Sequence, residues 1–321
     1  MLKILTVLCL SGALSCFASA NMCAQLFSPL SFTPSHFASS TFGLVHAERP
    51  GQARYSQWSA DTANEVLLAI AAGKPAKELF EIGVRARQEF ARKFENVDKS
   101  EEDFGASRVT RSRNIVGEDM IGLSSLTLDR RRGQALPAHF DAWPNPWWAN
   151  IARTESRTQL ADSILIHLVE TQRLSTTDYN LLIWDRFYQT STGEVLKSSS
   201  TKIQRAFPEQ QDSPYFVSTL NAPKPEIELL MTDVYRRIQL ALKAPTKKEA
   251  RENLSHAMYG FFNAMPYYRG SAAIGRIVFT VLFSSIEERP MIIDPECDVK
   301  ALVQSQFEFL TNIQSIVRTG K

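Results

Sequence analysis

Cysteine, net charge and uninterrupted apolar sequence are all in short supply in this chain, and each shortage excludes something. After the first twenty residues no stretch approaches the ~20 consecutive apolar residues that a spanning helix needs, so no transmembrane segment is expected in the remainder. A formal net charge of +2 gives no electrostatic case for nucleic-acid binding. The basic runs Arg108-Val-Thr-Arg111-Ser-Arg113 and Arg130-Arg131-Arg132 are local, and they read as solvated loops more readily than as a phosphate or membrane patch. Of four cysteines, Cys9 and Cys16 fall at the apolar N-terminus, leaving Cys23 and Cys297 near the ends of the rest. In an oxidising compartment that pair could form one disulfide; otherwise both are thiols. There is no internal repeat and no heptad pattern.

What the N-terminus does contain is a short positive start at Lys3, an apolar run from Ile4 to Leu14, and Ala18-Ser19-Ala20 as a small-residue cleavage sequence. This predicts a secretory signal peptide over residues 1–20, cleaved before Asn21, and a chain exported to the periplasm or beyond. A competing reading takes Leu14-Ser15-Cys16 as a lipidation site, although Ala13 stands where leucine is usual.

Residues 21–57 are rich in Ser, Pro and Phe without a steady period, and are expected to be an irregular segment draped over the domain. A helical domain is expected over 58–321. Ser59 is the expected cap of a helix carrying Ala63, Val66, Leu67 and Ile70, stopped by Gly73-Lys74-Pro75. Ala76 to Phe94 is amphipathic at helical spacing. Residues 98–135 read as a long polar loop with one short element near Met120 to Leu128.

The aromatics Trp143, Trp147 and Trp148 sit beside prolines, and either cap the end of a core or form a ligand platform. His167 and Glu170 lie three apart on an expected helix, but no second His or Cys pair accompanies them, so no metal site is expected. Another helix is expected from Thr176-Thr177-Asp178 through Leu181, Leu182, Trp184 and Phe187. Thr190 to Ser199, with Gly193, reads as a hairpin turn between extended segments.

Downstream come Pro223 and Pro225, a helix with Leu230-Met231 and Asp233, a loop from Lys243 to Thr246, and a helix from Ala250 to Phe262. The next residues are Met265-Pro266-Tyr267-Tyr268-Arg269-Gly270-Ser271-Ala272-Ala273-Ile274-Gly275-Arg276. This order, over about residues 175–290, resembles the core of Fic domains, which carry HPFx(D/E)GNGRxxR at this place and transfer nucleotide phosphates onto protein hydroxyls. Pro266, Gly270 and Arg276 match the motif, and Tyr267 substitutes for its phenylalanine. The resemblance implies a mainly α fold, a Fic-like helical bundle with a small β-hairpin flap.

The chemistry departs from the family. Met265 replaces the histidine base, and a thioether accepts no proton at neutral pH. Arg269 replaces the acidic magnesium ligand and would repel the ion. Ser271, Ala272 and Ala273 replace the asparagine, second glycine and first arginine. His256 lies more than two turns upstream of Met265, too far to stand in. The family's inhibitory pattern (S/T)xxxE(G/N) is missing. No cofactor is expected, and conventional AMP transfer is not.

The loop's backbone amides could still attract an anion, making Arg269, Gly270, Ser271, Ala272 and Arg276 the candidate binding residues. Three functions follow. One is a non-nucleotidylating pseudoenzyme or effector that binds a phosphate-bearing small molecule or a protein partner. Another is a transferase of altered chemistry with a sugar-phosphate or phosphate donor, using Glu194 or Asp233 as base. The last is a secreted structural or carbohydrate-binding protein using its tryptophans. Alternatively, the run from Ser271 to Gly275 serves only close helix packing.

Overall fold

A computed structural model describes residues 30–37, 51–94, 104–108, 118–123, 126–128, 135–137, 181–205, 215–220, 222, 224–267, 270–295 and 297–320. The described chain is mainly helical, with an antiparallel hairpin. The expected elements around Trp143 to Trp148, at His167 and Glu170, and over the signal segment with Cys23, Cys9 and Cys16 lie outside these residues.

Helices α1 (Gly51–Ala71) and α2 (Ala76–Phe94) form an antiparallel pair. The turn between them uses Gly73 at φ 70, and Pro75 just ahead of α2 fits the first-turn position, where its missing N–H is no loss. Ala63, Val66 and Ile70 are buried together, as the spacing predicts. The start of α1 differs from expectation. It begins at Gly51, so Ser59 is no cap but a buried residue inside the helix. Tyr55 and Trp58, packed on each other and on Phe90, carry the apolar face of α1 upstream of Ser59. Residues 30–37 include a 3-10 turn, Pro34–Phe37. The Asn64 side chain accepts from Phe32 N–H and donates to Phe32 C=O, both at 2.9 Å, while Phe32 and Phe37 are buried. That piece of the N-terminal segment is therefore pinned onto α1.

The sheet strands are β1 (Glu118–Leu123), β4 (Leu181–Gln189), β5 (Val195–Arg205) and β6 (Tyr215–Leu220), in the order β1-β6-β5-β4, all antiparallel. A separate pair, β2 (Leu126–Leu128) and β3 (Ala135–Pro137), lies between β1 and β4 in the chain. The short element expected near Met120 to Leu128 is thus β1 and β2. The helix expected from Thr176–Asp178 through Phe187 is instead strand β4. Its burial has the period of a strand: Arg186 and Tyr188 face inward, whereas Phe187, 54% exposed, and Gln189 face outward. Ile183, Trp184, Phe187 and Tyr188 are residue types that fit a half-buried pleated surface, and the hairpin turn expected at Gly193 pairs β4 with β5.

Helices α3 (Lys224–Leu242), α4 (Lys247–Ala264) and α5 (Ser271–Glu287) follow. Thr246 caps α4, its hydroxyl accepting from Glu249 N–H, so the connection from α3 is Lys243 to Thr246 as expected. Helix α5 is the central element: Ala273 through Ser284 are all buried, on every face. It packs against α1, α2 and α4, as a largely apolar helix buried on all sides must. The remainder is a small cap. Strand β7 (Met291–Ile293) pairs antiparallel with β8 (Val317–Thr319), and α6 (Cys297–Val303), α7 (Gln306–Thr311) and α8 (Ile313–Ile316) lie between them. Among the described residues no helix is long and apolar enough to cross a membrane.

The close approach of α5 to α4 depends on Gly275. A Cβ there would lie 2.4 Å from Phe261 Cε1 and 2.9 Å from Phe262 Cε1. Neither ring has room to retreat, since both are fully buried and Phe261 stacks on Phe80 at 4.7 Å between centroids. Gly275→Ala is expected to cost ~1–3 kcal/mol through overpacking, a cost that outweighs the ~1 kcal/mol a helical Gly→Ala change would otherwise add. Urea denaturation checks this, and an unchanged or raised midpoint would contradict the packing account.

Candidate functional site

The loop between α4 and α5 is short and tightly defined at both ends. Met265 closes α4 in the left-handed conformation, φ 42, with its N–H donating to Phe261 C=O. A non-glycine residue there carries a conformational cost that surrounding structure must offset. At the other end Gly270, φ 91, precedes Ser271 as the N-cap of α5. That conformation favours glycine. The Ser271 hydroxyl accepts from Tyr267 N–H and donates to Tyr267 C=O, each at 2.9 Å, closing the loop on itself.

Residues 104–108 cross this loop. Ser107 bridges Tyr267, Arg108 N–H donates to Pro266 C=O at 2.9 Å, and the Arg108 guanidinium reaches Met265 C=O at 3.3 Å. The basic run read as a solvated loop therefore begins with an arginine on the candidate site. From the other side comes Arg87 of α2, which is buried and lies with its guanidinium carbon 4.2 Å from the centre of the Phe104 ring. Its Cγ sits 3.0 Å from where a Gly270 Cβ would be. Neither Arg87 nor Arg108 belonged to the candidate set, because their approach to the loop depends on contacts far apart in sequence.

The α5 N-terminus itself has no side-chain cap and no acidic residue in its first turn. Its leading amide groups and helix dipole favour a negative charge there. The structure thus groups Gly270, Ser271 and Ala272 with Arg87 and Arg108, while Arg269 lies outside the described residues.

Arg276 stands apart. It is buried, donates to Pro295 C=O at 3.4 Å and lies beside Tyr55. Burial raises the Tyr55 phenol, with the charges of Arg276 and Arg87 and hydrogen bonds to Ser59 and Arg276 acting the other way. The cavity that Arg276 lines with His36, Tyr55, Ser59 and Thr280 is about 20 Å³. That holds one water molecule, whereas small-molecule pockets run to several hundred Å³. The position that matches the motif's last arginine thus ties α5 to α1 and to the Pro295 turn.

Cys297 is fully buried at the start of α6, and burial first, then Asp298, raises its thiol well above the ordinary range. A reactive thiolate is disfavoured there.

Asp233, named as a base, is committed elsewhere. It is 2% exposed on α3. Its carboxylate accepts from Tyr188 Oη at 2.7 Å, Ser191 Oγ at 2.6 Å, Ser191 N–H, Arg236, and Arg237 Nε at 2.9 Å. Burial alone would raise its pKa, but the bonds from Ser191, Arg236 and Tyr188 outweigh that and hold it well below the usual carboxylate range. An acid so deeply stabilised as its anion is a poor proton acceptor. Glu194 is exposed at the hairpin turn, where its C=O accepts from Thr190 N–H. Among the described residues no group of His, Cys, Asp and Glu is placed to hold a metal ion.

A second buried polar chain fixes the hairpin to the helices. Arg186 Nε donates to Ser199 Oγ at 2.9 Å, and Ser199 Oγ donates to Asn263 Oδ1 at 2.6 Å. Asn263 Nδ2 in turn donates to Tyr259 C=O and Ala301 C=O. Burial pushes the Arg186 pKa down to about 10, so the side chain stays charged near neutrality.

No protein-family model matches the chain, and no curated protein matches it.

Removing the Asp233 carboxylate would leave Arg237 buried without its ion pair. Asp233→Ala is expected to destabilise by ~3–5 kcal/mol at pH 7. Because the folded pKa is depressed, the ionised group stabilises above the unfolded value near ~3.9, and that stability is lost as pH falls below it. The gap between wild type and variant should narrow on acidification below about pH 4, read by denaturant unfolding at pH 7 and pH 3. A constant gap would overturn the assignment.

Proposed function

We propose that this chain is an exported Fic-like module that does not carry out conventional nucleotidyl transfer, and that it binds a phosphate-bearing ligand or an anionic group of a partner protein at the α4–α5 loop. The observation that carries this reading is the α5 N-terminus. It has no side-chain cap and no acidic residue in its first turn, with Arg87 beside Gly270 and the Arg108 guanidinium on the Met265 carbonyl at the start of the same loop. The amide groups and dipole at a helix N-terminus favour an anion, and guanidinium groups close by add positive charge around it.

The Fic-like reading draws support from the element order: hairpin β4–β5, strand β6, then α3, a short connection, α4, the loop and α5. Loss of nucleotidyl transfer draws support from Met265, which terminates α4 at the place of the family's base. Transfer by altered chemistry loses one of its two candidate bases, since Asp233 is held as an ion-paired anion. The tryptophan-platform alternative concerns residues outside those described.

The test is thermal unfolding with and without ATP, GTP, UDP-sugars and inorganic phosphate. A ligand at 100 times its Kd should stabilise by ~2.7 kcal/mol, a readily measured rise in Tm. Arg269→Ala and Arg108→Ala should each reduce that rise, by amounts that grow as the salt is lowered. No rise with any of these compounds would remove the small-molecule anion reading. A rise unaffected by both substitutions would place the anion elsewhere.

A further inference from the structure

We propose that Gln306, held by His256, is a pH-sensitive latch that occupies the outward backbone pair at the end of β4. The side-chain amide of Gln306, the first residue of α7, works like a short piece of strand. Its Oε1 accepts from Gln189 N–H at 2.7 Å and its Nε2 donates to Gln189 C=O at 3.3 Å. Gln189 ends β4, whose other side pairs with β5. The same Nε2 lies 2.8 Å from His256 Nδ1 on α4.

These contacts determine the proton on the histidine. Gln189 N–H can only donate, so the facing atom of the amide must be its oxygen. The amide nitrogen therefore faces His256, and His256 Nδ1 must accept. Only the neutral imidazole protonated at Nε2 can do so. Adding a proton at Nδ1 would set N–H against N–H and expel the Gln306 amide from its seat.

The surroundings reinforce the neutral form. Burial, and then the nearby charge of Arg237, hold the His256 pKa down at about 4, with Asp233 pulling the other way. Arg237 and Asp233 are paired to each other on α3. On α7, Glu308 is engaged by Ser305 N–H and Oγ in a capping box. On α4 itself Glu252, one turn before His256, is exposed, and so is Glu194, the acidic residue of the hairpin turn.

A histidine whose pKa is lower in the latched state than in the open one binds protons preferentially when open. The latch is fully closed above the free value near ~6.5, weakens as pH falls from there to about 4, and weakens no further below. Acidification in that window frees the Gln189 N–H, while the Gln189 C=O keeps its bond from Arg237 at 3.1 Å, and it loosens the tie between the C-terminal cap and the hairpin. This inference stands on Gln189, His256 and Gln306, and is independent of the α4–α5 loop.

The test is amide hydrogen exchange at Gln189 in the full chain, corrected for the intrinsic pH dependence of exchange. If His256 is free in the open state, the opening equilibrium should rise about thirtyfold between pH 7.5 and pH 5, from its shift toward about 4. In His256→Gln that rise should vanish, and in Gln306→Ala the Gln189 amide should exchange fast at both pH values. An NMR titration of the wild-type imidazole needs no variant: its midpoint should lie well below 6.5 with Nε2 carrying the proton in the neutral form. A normal midpoint, an Nδ1-protonated neutral ring, or an equal rise in His256→Gln would each overturn the latch.

Discussion

The carboxylate of Asp233 is the constraint on which the hairpin's position depends. Desolvating a charge on this scale is unfavourable unless partners converge on it, and here they come from three separate pieces of chain. Tyr188 belongs to β4, Ser191 to the turn, and Arg236 and Arg237 to α3 itself. Arg237 also donates to Gln189 C=O at 3.1 Å. Satisfying the charge therefore requires the turn, the strand and the helix to sit in one arrangement. Arg186, Ser199 and Asn263 repeat the logic further along the hairpin, coupling it to α4 and α6. Tyr188 and Leu196 seat the hairpin in the core while Phe187 and Val195 stay exposed, and these polar ties add direction to that seat.

The helical body rests on a different principle. Helix α5 is buried on every face, and close approach sets its place together with the Arg276 bond to Pro295 and the Ser284 bond to Met291. Gly275 admits Phe261 and Phe262, and Gly83 of α2 admits Ile274, whose Cγ2 would lie 2.8 Å from a Cβ at that position. Ser271, at the start of α5, is tied back to Tyr267, and Gly275 in the same helix serves close packing.

Legibility in the sequence followed the range of the interactions. The amphipathic helix Ala76–Phe94, the four-residue connection ending in the Thr246 cap, and the hairpin turn at Gly193 all rest on local chemistry, and each was readable from residue order. Strand β4 was misread because Leu181, Leu182, Trp184 and Phe187 satisfy a helical spacing as well as a strand one. The pairing with β5 decided between them, and that is a non-local fact. Within the candidate site, Gly270 and Ser271 were legible from motif position. Arg87 and Arg108 were not, since α2 and residues 104–108 meet the loop only through tertiary packing. Asp233 was read as a chemical group when it is a structural one. Its partners Tyr188 and Ser191 lie more than forty positions away, so the adjacent Arg236 and Arg237 show only half of the network in sequence.

The end of the hairpin shows how the two kinds of tie differ in their response to acid. The Gln189 carbonyl accepts from Arg237 and from Gln306, so one backbone group joins an ion-paired network to a neutral one. The ion-paired side depends on a carboxylate whose pKa lies far below normal, and protons oppose it only from about pH 4 downward. The neutral side depends on an imidazole that must stay uncharged, and protons oppose it from about pH 6.5 downward. Mild acid thus acts on the outer face of Gln189 while Asp233 still holds Tyr188, Ser191 and Arg237 from within. The Gln189 N–H would lose its partner while the C=O kept Arg237, so the strand end would open one backbone group without the hairpin coming apart.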